Sequence, residues 1–251
     1  MGLPVNHTPL SRSAPPTPAG GTAKRTRPLI VEIVGPAGAG KTALLRTLGR
    51  DPRVHAGVRI DRVRQFGEML GHGIAVLPIA LTLLHQGWKR LWYGLLHFVR
   101  LRTLPRAITL AAAGAEADAI LLDEGPVFSL ARLSVFQQAN LGEGRLADAW
   151  HAELDRWSDL LDFVIWTDAP DAVLAERIRS RLKRHQIKDG SDAEVAVFLE
   201  RYRQAYREIL GNLTTGKRVG MVHLDTTGLA VDVAAGRLLT ELEHLGLRRT
   251  D

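Results

Sequence analysis

The sequence predicts an α/β domain whose parallel sheet is organised around a phosphate-binding loop, and three observations carry that expectation. Five of the six residues from Leu29 to Val34 are apolar, the continuous pattern of a strand buried on both faces. Gly35 to Thr42 fit GxxxxGKT, and Ala43 to Leu48 open a helix. Further apolar runs, at Val54–Ile60, Ala119–Asp123, Asp162–Thr167 and Val219–Leu224, alternate with helical patterns.

Each residue of the loop has a physical role. Gly35, Gly38 and Gly40 let the backbone turn tightly, so that amides of Gly35, Pro36, Ala37, Gly38, Ala39, Gly40, Lys41 and Thr42, proline excepted, can face phosphate at the positive end of the next helix. Lys41 reaches the outer phosphate oxygens, and the Thr42 hydroxyl is a magnesium ligand. A bound nucleotide with Mg2+ is therefore expected. A glycine-rich turn alone would be weak, but a strand before it and a helix after it make the motif specific.

Residues 1–28 are rich in Pro, Gly, Ser and Thr, hold no acidic residue and show no apolar periodicity, so a disordered basic leader is expected there. Nothing in it resembles a secretory signal, Asn6 stands where a myristoylation motif needs Ser or Thr, and its prolines argue against a transit peptide. Arg12, Lys24, Arg25 and Arg27 supply four of the six excess positive charges, leaving about two on residues 29–251. The pI near 10.0 is thus a property of the leader, and no specific nucleic-acid partner is expected. The remaining length suits one domain with a full core. Without cysteine there is no disulfide, thiol nucleophile or cysteine-based zinc site, and a cytoplasmic location is the simplest reading.

After the first helix, Asp51 and Pro52 stop the chain before the second strand, Val54–Ile60. Asp61, Arg62 and Arg64 beyond it are candidates for holding an acceptor, with an exposed charged loop as the plain alternative. Residues 67–115 form the acceptor-side region. Met69 to Trp88 is twenty residues without Asp, Glu, Lys or Arg, long enough to span a bilayer, but Gly71, Gly73, Pro78 and Gly87 interrupt it and favour a helical pair. Residues 88–106 mix Trp88, Trp92, Tyr93 and Phe98 with Lys89, Arg90, Arg100, Arg102 and Arg106. That composition suits a peripheral membrane contact, or a helix packed on the domain with its arginines in water.

Ala119–Pro126 reads AILLDEGP, a third buried strand with a magnesium-binding carboxylate, Asp123, at its carboxyl end. Glu124 has two readings: activation of water in a hydrolase, or acceptor binding in a transferase. A helix over Val127–Asn140 follows, with Arg132 aimed back at the site. Another over Asp148–Leu161 carries Trp150, Leu154 and Trp157 as core contacts. Beyond the fourth strand, Asp168 and Asp171 are candidate caps for a helix on which Arg177, Arg181 and Arg184 share one face. Guanidinium groups in that position suit the charge of a transferring phosphoryl group. Lys188–Asp192 reads as a loop, 193–210 as a helix ended by Gly211 and Asn212, and DTTG, 225–228, as the turn into a last helix.

The succession of P-loop, LLDEG, VIWTDAP, ERIRSR and VHLDTTG resembles the nucleoside and nucleotide kinases, thymidylate kinase in particular, over about residues 28–245. The resemblance implies a P-loop NTPase three-layer sandwich with a five-stranded parallel sheet in the order 2-3-1-4-5, flanked by helices. It further implies that Arg177 stacks near the base or phosphates, that Arg181 and Arg184 belong to a closing lid at 174–192, and that the DTTG turn lies near adenine. Thymidylate kinases carry Asp-Arg after the third strand, where this chain has Asp123, Glu124 and Gly125, and the apolar acceptor side departs from a nucleotide pocket.

Two functional readings result. The first is a kinase moving the γ-phosphate of Mg-ATP to a small-molecule acceptor, a nucleoside, nucleotide or related metabolite, with Lys41, Asp123, Glu124, Arg177 and Arg181 as its working residues. The second is an ATP-hydrolysing switch acting with a protein or membrane partner, in which Glu124 activates water. A homodimer is compatible with either. No NKxD motif points to GTP, and no LSGGQ-like stretch points to a transporter ATPase.

Overall fold

The computed structural model describes residues 11–13, 27–58, 71, 88–114, 117–137, 144–181, 185–215 and 219–247. The parallel strands are β2 (Leu29–Val34), β3 (Val54–Ala56), β4 (Ala119–Asp123), β5 (Phe163–Asp168) and β6 (Gly220–Asp225). Numbered within this set, they lie in the order 2-3-1-4-5, the P-loop NTPase arrangement. β2 is central, flanked by β4 and β5. Its carboxyl end is therefore where the sheet's strand order reverses, the place at which α/β sheets open a crevice for ligands.

A sixth strand, β1 (Ser11–Ser13), pairs antiparallel with β6, Ser11 opposite His223 and Ser13 opposite Met221. A strand inside the leader was not anticipated. Polar, proline-rich composition hides a pairing that is made between backbones. Arg27, two residues before β2, is likewise fixed, its guanidinium donating to both oxygens of Asp162 at 2.7 and 3.0 Å.

Seven helices cover the sheet among the described residues: α1 (Lys41–Leu48), α2 (Trp88–Gly114), α3 (Pro126–Gln137), α4 (Arg145–Leu160), α5 (Asp171–Ser180), α6 (Asp192–Thr214) and α7 (Val231–His244). On one face of the sheet, Ile30, Val34, Ile120, Leu122 and Val164 pack with Phe98, Leu101 and Leu104 of α2, Leu130 of α3, Trp157 of α4 and Tyr206 of α6. On the other, Leu29, Val31, Ile33, Leu121 and Ile165 pack with Leu44 and Leu48 of α1 and Leu238 and Leu242 of α7. Alternate residues of one strand thus feed two cores, which is why the strands read as unbroken apolar runs.

Several boundaries differ from expectation. β3 ends at Ala56, where Gly57 turns with φ 83° and donates to Leu121 O at 3.0 Å. α6 runs through Gly211 and Asn212 to Thr214, because Leu210 and Leu213 are buried and packing outweighs the glycine. α5 ends at Ser180, and Arg181, at φ −65° and ψ 138°, is its extended C-cap. Arg177 and Arg181 therefore do not share a helix face, and Arg184 lies outside the described residues. Asp168 and Asp171 do not cap α5: Arg203 of α6 takes both carboxylates.

The apolar side of α2 faces inward through Phe98, Leu101, Leu104, Ala107 and Ile108, while Leu96 and Leu110 are exposed. Among the described residues no helix is long and apolar enough to cross a membrane. Residues 72–87, with most of the apolar stretch, and Asp61, Arg62 and Arg64 lie outside the described residues.

Candidate functional site

The P-loop leaves β2 through a contact that only glycine permits. Gly35 has φ 145°, and a Cβ there would stand 2.0 Å from Thr167 O at the end of β5. The buried Thr167 hydroxyl donates to Val34 O at 3.0 Å, so the start of the loop is pressed against the neighbouring strand. Gly38, at φ 89°, lies against α5, where a Cβ would meet Leu174 O at 2.8 Å. Gly40 takes a left-handed conformation, φ 82° and ψ 5°, as the residue capping α1, and it offers no side chain to the helix's first amides. Those donors are left to an incoming anion.

Lys41 folds back over the loop and donates from Nζ to Gly35 O at 2.7 Å and Pro36 O at 2.8 Å. Burial pushes its pKa down to about 8, against the pull of Asp123, Glu124 and Asp168, with Arg181 adding to the depression. The charges of Asp123, Arg181, Glu124 and Asp168 thus all reach the Lys41 ammonium. Thr42 is exposed at the first turn of α1, and Asp123 is half-buried at the carboxyl end of β4. Hydroxyl and carboxylate oxygens of this kind are the donor set that Mg2+ takes, keeping water in its other positions.

Glu124 has φ 59°, rare for a residue with a side chain. Arg100 of α2 holds this turn, donating to Glu124 O from Nε at 3.0 Å and Nη2 at 2.6 Å, and its Nη1 stands 3.8 Å from the Glu124 carboxylate. The carboxylate itself is more than half exposed, at 56%. Arg100 belongs to the basic helix read from sequence, but nothing in its spacing marked it as a partner of Glu124, 24 residues away.

Arg177 crosses the site from α5. Its Nη1 donates to Thr226 Oγ1 at 3.0 Å and, more weakly, to Gly38 O at 3.5 Å, while Nη2 donates to Thr226 O at 2.9 Å. The Thr226 amide and hydroxyl in turn donate to Asp168 O at 2.9 and 3.0 Å. One guanidinium thus ties the P-loop to the DTTG turn. Beneath it, Arg203 donates to both oxygens of Asp168, at 2.8 and 3.1 Å, and to Asp171 Oδ1 at 2.5 Å and Ala169 O at 2.9 Å.

His185 packs edge-on to Phe198 and is held below the usual imidazole range by burial and by Arg181, Arg132 and Lys41. Arg132 lies over the rings of Phe128 and Phe136 and donates to the Tyr202 hydroxyl at 3.0 Å. A surface groove of about 750 Å³ between α5 and α6, lined by Ala172, Ala175, Arg179, Asp192 and Val195, contains none of these groups apart from Asp171.

No protein-family model and no curated protein matches the chain. Among solved structures it is similar to deoxyadenosine kinase from M. mycoides. The form with bound dCTP aligns at 13% identity and a TM-score of 0.46, and the form with bound dATP at 15% and 0.48. Each alignment covers 86% of this chain and 100% of the other. That likeness is too loose to transfer a function. The site is read from its own residues.

Proposed function

We propose that this chain is an ATP-dependent phosphotransferase that moves the γ-phosphate of Mg-ATP to a small-molecule acceptor of the nucleoside, nucleotide or related class. The observation that carries the reading is the loop itself, pressed against β5 at Gly35 and α5 at Gly38, with the Lys41 ammonium folded over it and within reach of the charges of Asp123, Arg181 and Glu124. In the proposed mechanism the loop amides and Lys41 hold the β- and γ-phosphates, and Thr42 and Asp123 hold Mg2+, which would neutralise charge and align the phosphates. Arg181 offers a second cation to the transferring group. Arg177 and the DTTG turn form the floor for the base. Glu124 orients the acceptor hydroxyl or phosphate, and Arg100 sets the direction of the Glu124 backbone. A thymidylate kinase-like specificity would lack its arginine after Asp123, which makes a nucleoside the favoured acceptor over a nucleotide.

The exposed Glu124 carboxylate also favours a second reading, hydrolysis with Glu124 aligning water. One experiment separates the two. The protein and Lys41→Ala are incubated with ATP labelled at the γ-phosphate and a small-molecule extract. Label on an organic species only with the intact protein supports transfer and names the acceptor. Label only in inorganic phosphate, at a rate the extract does not change and that Glu124→Gln abolishes, supports hydrolysis.

A further inference from the structure

Beneath the Asp123–Glu124 turn lies a buried carboxylate that the reading above does not use. Glu32 stands in the middle of β2, fully buried among Ile30, Val34 and the apolar core of that face. An acidic group in such a strand is costly unless something satisfies it. Its Oε2 accepts from the Val127 amide at 2.7 Å and its Oε1 from the Phe128 amide at 2.9 Å. These are the second and third residues of α3, and every helix leaves such amides without an internal partner.

A serine, threonine or aspartate just before the helix usually accepts from them. Here that residue is Gly125, which has no side chain to offer, and the first helical residue is Pro126, which has no N–H. The glycine is required by space. A Cβ on Gly125 would lie 2.7 Å from Glu32 Cδ, and the three nearest atoms all belong to the Glu32 side chain. Its φ is not positive, so the backbone itself would accept another residue. Glu32 therefore fills the position of the missing cap.

We infer that Glu32 is a positioning residue that caps α3 from the adjacent strand and thereby fixes the Asp123–Glu124 turn at the site. The turn is then held from two sides: Glu32 grips the helix that follows it, and Arg100 grips the Glu124 carbonyl within it. The charge of Arg100 reaches the Glu32 carboxyl, whose own charge reaches the buried Tyr206 phenol of α6. Burial pushes the Glu32 pKa up to about 8, opposed by the α3 amides and Arg100.

The test is a cycle of Glu32→Ala, Gly125→Ser and the double variant, with Glu32→Gln as the isosteric control. Gly125→Ser alone should destabilise, since its Cβ strikes Glu32; in the Glu32→Ala background it should stabilise, because a local cap replaces the distant one. Amide exchange at Val127 and Phe128 should quicken in Glu32→Ala and slow again in the double variant, with Glu32→Gln between, since its amide can accept from only one of the two donors. Where the reading as a phosphotransferase also holds, Kd for Mg-ATP should rise about fivefold or more in Glu32→Ala, as loss of a cap would produce, while Kd for ATP in EDTA changes little. The double variant should recover the Mg-ATP value. Additive stability effects, or unchanged exchange at the two amides, would overturn the proposal, as would equal loss of both affinities. If the unaltered protein binds no ATP at all, the phosphotransferase reading fails, and exchange and the sign of the Gly125→Ser effect still decide the role of Glu32.

Discussion

Lys41 shows how one residue links the loop's geometry to its chemistry. Its ammonium donates to two carbonyls of its own loop, Gly35 and Pro36, and arriving phosphates would compete for it. With its pKa lowered to about 8, the charge that attracts phosphate is lost as pH rises through the ordinary assay range. The sign is fixed: a bound phosphate favours the protonated form, so binding takes up a proton above pH 8 and weakens with rising pH. ATP affinity at pH 9 should be roughly tenfold lower than at the protonated plateau, and Lys41→Ala should remove that dependence. Titration calorimetry in buffers of different ionisation enthalpy measures the uptake directly. At Gly35 the constraint is steric. Gly35→Ala should displace the loop from Thr167, with loss of nucleotide binding in the same assay while far-ultraviolet circular dichroism persists.

Among the elements, α6 joins the site to the core. Arg203 presents a planar fork to Asp168 and Asp171, its side chain only 14% exposed. Arg203→Ala would leave Asp168 unpaired beside the DTTG turn that Thr226 fastens to it. A loss of about 2–3 kcal/mol is expected, below the value for a fully buried pair because Asp171 is 44% exposed. Denaturant unfolding checks it. Arg203→Lys should recover only part, since an ammonium cannot serve both carboxylates in the same fork.

The elements that were legible in sequence are those whose cause is local. β2, the loop and α1 are specified by contiguous residues, β4 and β5 by apolar runs that the parallel sheet buries on both faces, and β6 by an alternation that buries Val222 and Leu224. The core residues Trp150, Leu154 and Trp157 follow from helical spacing. What sequence left dark arises from long-range pairing. Asp168 and Asp171 look like helix caps until Arg203, more than thirty residues on, claims them. Arg181 looks like part of a helical stripe until α5 stops one residue short of it. Glu32 is the single polar residue in a strand of five apolar ones, and only the helix that starts after β4 gives it a purpose.

At the scale of the whole molecule, two cores on opposite faces of one sheet meet along β2, and the site opens where the carboxyl ends of β2, β4 and β5 come together. The outer edge beyond β6 is closed by β1, whose hold is a three-residue backbone ladder. Removing residues 1–26 should therefore leave the five parallel strands and ATP binding intact, lower stability by about 1–2 kcal/mol, and uncover the β6 edge to intermolecular pairing. Thermal melting and light scattering at increasing concentration read the two effects separately.

That edge has a consequence in time as well as in space. Of the described strands, β1 is translated first, yet its partner β6 is translated last, so roughly two hundred residues must emerge before Ser11 can meet His223. The pairing closes a long chain loop that no local preference can close early, and it forms only against a β6 already laid on β5. Protection of the Ser11–Ser13 amides during synthesis would thus mark the moment at which the sheet is complete.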